Sequence, residues 1–321
     1  MPSINSNRRR TRRWLRPIAL LAAFALSLFA ASGTAIAAKS KSSLPSFASP
    51  EEAFGKFADA VKANDSAGIL KVLGPDAKGL VGSGDPVEDK TAREKFTAEY
   101  AEANKIVKKG DTQAVLVIGN DEWPFPIPVV KTGSTWHFDV KAGKEELLNR
   151  RIGANELDTI QVCLAYVDAQ REYATKDRNH DGFIEYAQKF LSSPGKQDGL
   201  YWPAENGAEE SPLGPGMVRA QAQGYSFKEG QHTPYHGYYY KILKAQGAQA
   251  PGGAQDYVIK GRMIGGFALV AYPAQYGSSG IMTFIVNYDG IVYQQDLGPK
   301  TAAIAGSMTR YDPGKGWTKA Q

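Results

Sequence analysis

Hydrophobic and polar positions change period several times along this chain. After Ser49, Phe54, Phe57, Ala58 and Val61 recur at helical spacing. Ser49-Pro50-Glu51-Glu52 supplies the start, with Ser at N-cap, Pro at N1 and Glu at N3. A second helix is predicted from an Asp65 cap, with Ile69, Leu70 and Leu73 inward. A third runs over 88–103, with Phe96 and Tyr100 on one face. Strand patterns follow at 114–118, 123–130 and 135–139. In the middle one, Pro124, Pro126 and Pro128 strip the N–H donors from one side only. That predicts a sheet edge closed to further pairing.

Beyond residue 150 the order repeats. Asn155 is placed to cap a long helix with Asp158 at N3, and Leu157, Ile160, Leu164 and Val167 form its stripe. Strands are predicted at 238–243, 257–259 and 266–272. A hairpin pairs 281–288 with 291–294 across Asp289-Gly290, the signature of a type I′ turn. The fold class is α+β: N-terminal helices plus an antiparallel sheet, then a long helix packed on an antiparallel β-meander. Composition shifts at the same place, since 15 of 16 Tyr and 22 of 34 Gly lie beyond residue 160. The expected organisation is a flexible linker at 38–46, an α+β domain at 47–153 and a helix-plus-sheet domain at 154–321.

The first 37 residues stand apart. Arg8 to Arg16 form a charged stretch, Ile18 to Ala31 an apolar one, and Ala35-Ile36-Ala37 a small-residue cleavage site. This reads as a signal peptide over 1–37, cleaved near Ala37, and predicts a periplasmic or secreted protein. The apolar stretch has 14 residues, short of the roughly 20 that span a bilayer, so no stable membrane anchor is expected after cleavage. Thr11 to Leu15 is similar to a twin-arginine motif, and the export route stays open. Six of the 38 Lys+Arg belong to this leader and none of the 33 Asp+Glu does. The remainder, 32 basic against 33 acidic residues, carries a net charge of −1. Without a basic excess, a nucleic-acid partner is not expected. Cys163 is the single cysteine, so no intrachain disulfide forms; it reads as a small buried hydrophobe.

The best chemical motif is the stretch from Asp177 to Gln188. Asp177, Asn179, Asp181 and Gly182 match positions 1, 3, 5 and 6 of a calcium loop. The expected Ca²⁺ ligands are Asp177, Asn179, Asp181, Phe183, Glu185 and Gln188. Gln188 stands where such loops place a bidentate Glu. A helix enters the loop, and a short one over about 185–191 is expected to leave it. Tyr201 and Trp202 could stack a sugar. Glu205 and Glu209, in the loop that follows, and His236 complete the candidate ligand-binding set. His232 and His236 are four apart, but Pro234 excludes a helical metal pair. The chain has no phosphate-binding loop, no G-x-S-x-G, no H-E-x-x-H and no C-x-x-C.

Longer strings carry a resemblance. They include Gly195-Lys196-Gln197-Asp198-Gly199-Leu200-Tyr201-Trp202-Pro203, Pro234-Tyr235-His236-Gly237-Tyr238 and Gly261-Arg262-Met263-Ile264-Gly265-Gly266-Phe267. By these the chain, from about 47 to 315, resembles the secreted bacterial family called domain of unknown function 2950. That resemblance implies export and no assigned activity. Asn155-Glu156 opening a long helix, with Ala271-Tyr272-Pro273 leading to Asp289-Gly290, also resembles type IV pilin and pseudopilin globular parts. That likeness implies a long helix on a sheet and, in some pseudopilins, bound calcium. The residues favour an exported envelope protein of unknown specific role. It would be a non-enzymatic binding or assembly module for a protein or glycan, with one structural calcium loop. The alternative is a cell-wall or polysaccharide hydrolase using loop carboxylates.

Overall fold

The computed structural model describes residues 44–178, 180–204, 209–228 and 231–320. The leader, most of the linker, Asn179 and Glu205 lie outside them. The first helix forms as its cap dictates. In α1 (Pro50–Lys62), Ser49 Oγ accepts the Glu52 amide at 3.1 Å, while the Glu52 carboxylate takes the Ala48 N–H at 2.8 Å. Helices α2 (Ser66–Leu73), α3 (Lys78–Val81) and α4 (Pro86–Glu102) follow. An antiparallel sheet comes next: β1 (Asn104–Lys109), β2 (Gln113–Ile118), β3 (Trp123–Pro124), β4 (Val129–Thr132) and β5 (Thr135–Phe138), in the order β1-β2-β4-β5. Ala114, Leu116 and Ile118 alternate inward on β2 and pack with Phe54, Phe57, Phe125 and Phe138 in one core.

The proline-rich segment is not one strand. On β2, Val117 faces Pro124 while Ala114 faces Val129, so three steps on β2 span five on the partner. A bulge between β3 and β4 absorbs the difference. β3 pairs only with β2, off the main path of the sheet.

The long helix α5 (Val140–Tyr173) starts earlier than Asn155. Its N-cap is Asp139, whose Oδ1 accepts the Ala142 amide at 3.1 Å. It therefore runs unbroken through positions 153 and 154. Its first turns close the first core through Val140, and its last turns enter a second core through Ile160, Cys163, Tyr166 and Val167. The inward stripe is rotated from the one predicted. Leu157 and Leu164 are exposed, while the polar Asn155, Thr159 and Gln170 are buried. Their partners explain it. Asn155 Nδ2 donates to Ser279 O at 2.9 Å, and the Gln170 amide bonds both Ala187 N–H and Ala187 C=O, at 2.9 and 2.8 Å.

After α5 come α6 (Gly214–Ala222), β6 (Tyr238–Leu243), β7 (Ala245–Gln246), β8 (Gln255–Asp256), β9 (Val258–Ile259) and β10 (Arg262–Met263). β11 (Ala268–Pro273), β12 (Met282–Asn287), β13 (Tyr293–Asp296), α7 (Thr301–Ser307) and β14 (Thr318–Lys319) complete the chain. The second sheet has the order β14-β13-β12-β11-β6, all antiparallel. Ala268 to Ala271 are all buried, so both faces of β11 are covered; α5 and α7 pack against it. The fold is α+β, with the long helix ahead of its sheet.

The β12–β13 connection is wider than a two-residue turn, because Ile285 pairs with Tyr293. Asn287 organises the loop instead: its Oδ1 accepts the Asp289 amide at 3.2 Å and its carbonyl the Gly290 amide at 2.9 Å. Among the described residues no helix is long and apolar enough to cross a membrane.

A candidate ligand groove

Asp158, Gln161, Val162 and Ala165 fall at i, i+3, i+4 and i+7 on α5, opposite its sheet-facing side. They floor a cavity of about 850 Å³. Met217 and Ala220 of α6 roof it, and Tyr235, Tyr239 and Tyr240 wall it. Tyr235 lies against Tyr225 (ring centres 4.9 Å) and Phe227 (6.1 Å).

One turn shapes this wall. Tyr235 and Tyr238 exchange backbone hydrogen bonds of 2.8 and 3.1 Å around His236 (φ 50°) and Gly237 (φ 72°). Two consecutive positive φ angles make this a type I′ turn, the tightest hairpin connection. Gly237 is required twice, since a Cβ there would lie 2.5 Å from Asn155 Nδ2.

The turn is held by a carboxylate far away in sequence. Asp85 is fully buried and caps α4: its Oδ1 accepts the Val87 and Glu88 amides, each at 3.1 Å. Its Oδ2 accepts the Gly237 N–H and the Tyr225 hydroxyl, each at 2.9 Å. Four donors on one carboxylate meet the hydrogen-bonding capacity that its burial would otherwise leave unsatisfied. Burial, with the Asp85 charge beside it, pushes the Tyr225 phenol far up. His236 Nδ1 stands 3.3 Å from Asp158 Oδ2. Burial lowers its imidazole from the ordinary value, outweighing the pull of Asp158 and Asp85.

The other predicted residues divide. Tyr201 lines the groove, but Trp202 does not. Trp202 is buried: Arg178 covers its ring at 5.1 Å, and its indole N–H donates to Glu209 O at 3.0 Å. The Glu209 carboxylate accepts from Lys176 (2.8 Å) and Arg178 (3.0 Å), and these hydrogen bonds hold it below the usual carboxylate range. A general acid needs the opposite shift.

In the loop after α5, Asp177 Oδ2 accepts the Gly182 amide at 2.8 Å and Oδ1 the Asp181 amide at 3.3 Å. Those bonds lower the Asp177 pKa, the Gly182 one most. Asp181 Oδ2 receives Arg262 Nε at 2.8 Å, and that guanidinium lies 4.1 Å from the centre of the Phe183 ring. Burial raises Glu185, and the Asp181 charge adds to it. Gln188 turns aside, donating to Gly261 O at 2.7 Å and accepting from Lys244 at 3.2 Å. No exit helix forms. Tyr186 bridges to Met263 and Leu191 to Tyr201, so 185–191 spends its backbone groups on neighbouring segments. Among the described residues no three His, Cys, Asp or Glu side chains converge to hold a metal.

Sequence reading missed Asp85, Tyr225 and the whole of α6. His236-Gly237 carried a signal, because His tolerates positive φ better than most residues and Gly best of all. Cys163 is buried as expected, and burial pushes its thiol up to about 12.

No curated protein matches this chain. No solved structure matches it either. A family model matches residues 45–320, nearly all of the described fold including both cores and the groove. The chain belongs to the family described as Protein of unknown function (DUF2950).

Proposed function

We propose that this chain is an exported envelope protein that acts as a binding module. The groove between α5, α6 and residues 225–228 and 231–240 is its ligand seat. The observation that carries this reading is the cavity itself. It is about 850 Å³, within the ~300–1,000 Å³ typical of small-ligand sites. It is walled by aromatic rings on a backbone tied down by Asp85. Rings preorganised in this way lose little freedom when a ligand arrives. The likeness to pilins contributes only the long helix on a sheet, and filament assembly is not part of the proposal.

The uncharged dye N-phenylnaphthylamine tests the seat. It should bind with saturable fluorescence enhancement. Met217→Trp, which projects an indole into the groove from α6, should weaken that binding at least ~10-fold without lowering the melting midpoint, since the ring occupies apolar lining that the dye would contact. Equal binding by parent and variant would place the dye elsewhere and remove the groove as the site.

Calcium at the loop that follows α5 is the second element of the proposal. Asp177, Asn179, Asp181, the Phe183 carbonyl and Glu185 would hold it, with Arg262 displaced from Asp181. Excess Ca²⁺ should raise the melting midpoint of the parent over that in EDTA, and should leave Asp181→Ala unchanged. A ligand at ~100 times its Kd adds about 2.7 kcal/mol, a shift of several degrees for a chain of this size. Identical midpoints in Ca²⁺ and EDTA would reduce the loop to an Asx turn held by Arg262.

A further inference from the structure

The groove's charged residues are not all committed. Asp158 faces His236 at 3.3 Å, and Lys189 is bound to Asp198 at 2.9 Å and to Ser193 at 2.6 Å. Arg219 and Lys228 also line the groove. Among the described residues, neither side chain has a hydrogen bond or an ion pair. The Arg219 charge acts on the Tyr235 phenol, as do those of Asp158 and Glu88 in the opposite sense, and Lys228 follows Phe227, whose ring meets Tyr235 at 6.1 Å. Much of the remaining lining is apolar, with Val162, Ala165, Leu213, Met217, Phe227 and Leu269, beside Gln161, Gln223 and Gln231. The two charged lining side chains without a bond are therefore both cations, set in a groove that also carries the Asp158 carboxylate.

We propose that the groove binds an amphiphile with a single anionic head: its apolar chain lies between α5 and α6, and Arg219 and Lys228 hold the head. This rests on the groove being the ligand seat. Carboxylate and phosphate monoester share the required chemistry. Arg presents a planar fork that suits either group, and Lys adds a point charge. Apolar walls on one side lower the local dielectric, so each contact is stronger than it would be in open water. An acyl chain also needs no hydrogen-bond partners, which suits a trough walled by ring faces and methyl groups.

The test is displacement of N-phenylnaphthylamine from the full-length chain by three probes of equal chain length: a saturated fatty acid, a lysophosphatidate and an alkanol. At least one anion should displace the dye at ~10-fold lower concentration than the alkanol, and raised salt should erode that preference. Whichever anion leads identifies the head group. Lengthening the chain should tighten each probe by roughly fourfold per buried methylene until the groove is full. Arg219→Gln combined with Lys228→Gln should bring the anions to the alkanol's level, each measured against the variant's own dye affinity, while the melt stays unchanged. Equal displacement by anions and alkanol in the parent would overturn the anionic head and leave the groove intact. An anion preference that survives the double variant would overturn the assignment to Arg219 and Lys228. Failure of the dye to bind the groove would remove both readings together.

Discussion

Asp85→Ala should be among the most damaging single substitutions in this protein. The side chain is fully buried and accepts four hydrogen bonds, two from the first turn of α4 and two from the groove wall. Its loss strands the amides of Val87, Glu88 and Gly237 and the Tyr225 hydroxyl. An unsatisfied buried donor costs about 1–3 kcal/mol, and loss of a helix cap costs about 1. Partial relaxation and entering water bring the expected total to ~3–5 kcal/mol for the four stranded donors and the lost cap. That is a fall in the melting midpoint of about 10 °C or more. Tyr225→Phe removes one of the four bonds and should cost only about 1 kcal/mol. Amide exchange at His236 and Gly237 should speed up far more in Asp85→Ala than exchange in the β11–β12 core. A cost below ~1 kcal/mol would mean that water replaces the carboxylate and that the wall stands without it.

Gly143→Ala should be nearly as severe, for a steric reason. Gly143 lies in the first turns of α5, where a Cβ would stand 2.6 Å from the Pro126 carbonyl carbon and 2.7 Å from Ile127 Cα. Both are backbone atoms, so no side chain can swing aside, and either the helix or the segment between β3 and β4 must move. Overpacking of this kind costs about 1–3 kcal/mol, and an unyielding backbone places this case at the upper end. Gly153→Ala is the internal control. It lies in the same helix with nothing within 4 Å of its would-be Cβ. Ala there should stabilise by about 0.5–1 kcal/mol through helix propensity and a less flexible unfolded chain. Denaturant titration of the pair should therefore separate them by roughly 3–4 kcal/mol. Equal midpoints would show that α5 does not press on Pro126 and Ile127.

Much of this was legible in the residues before any coordinates. The Ser49 capping box, the switch to strand alternation at 114–118, strand β6 and the burial of Cys163 follow from local rules. Other readings failed for identifiable reasons. The sheet-facing side of α5 was misplaced because it buries Asn155, Thr159 and Gln170, which a polarity count assigns to solvent. Their burial is tolerated only because Ser279 O, the Tyr240 hydroxyl and the Ala187 backbone meet them. The Asp-Gly turn yielded its register to Asn287, whose side chain competes for the turn amides. The helix expected after the 177–188 loop lost to bridges with Met263 and Tyr201. Of the candidate ligand-binding residues, Tyr201 and His236 reach the groove. Trp202 and Glu209 instead close a cluster around Arg178.

By itself, the sequence determined the α+β class, the capped first helix, the strand alternation at 114–118, strand β6 and the family strings. These depend on caps, propensities and hydrophobic periods, which act within a turn or two of the chain. Only the tertiary structure decided that Asp85 would hold a turn 152 positions away, and that residues of α5, α6 and the segments around Tyr235 would line one groove. The physical reason is that a buried polar group is tolerable only where partners meet it. Those partners come together from distant segments only after the cores have packed.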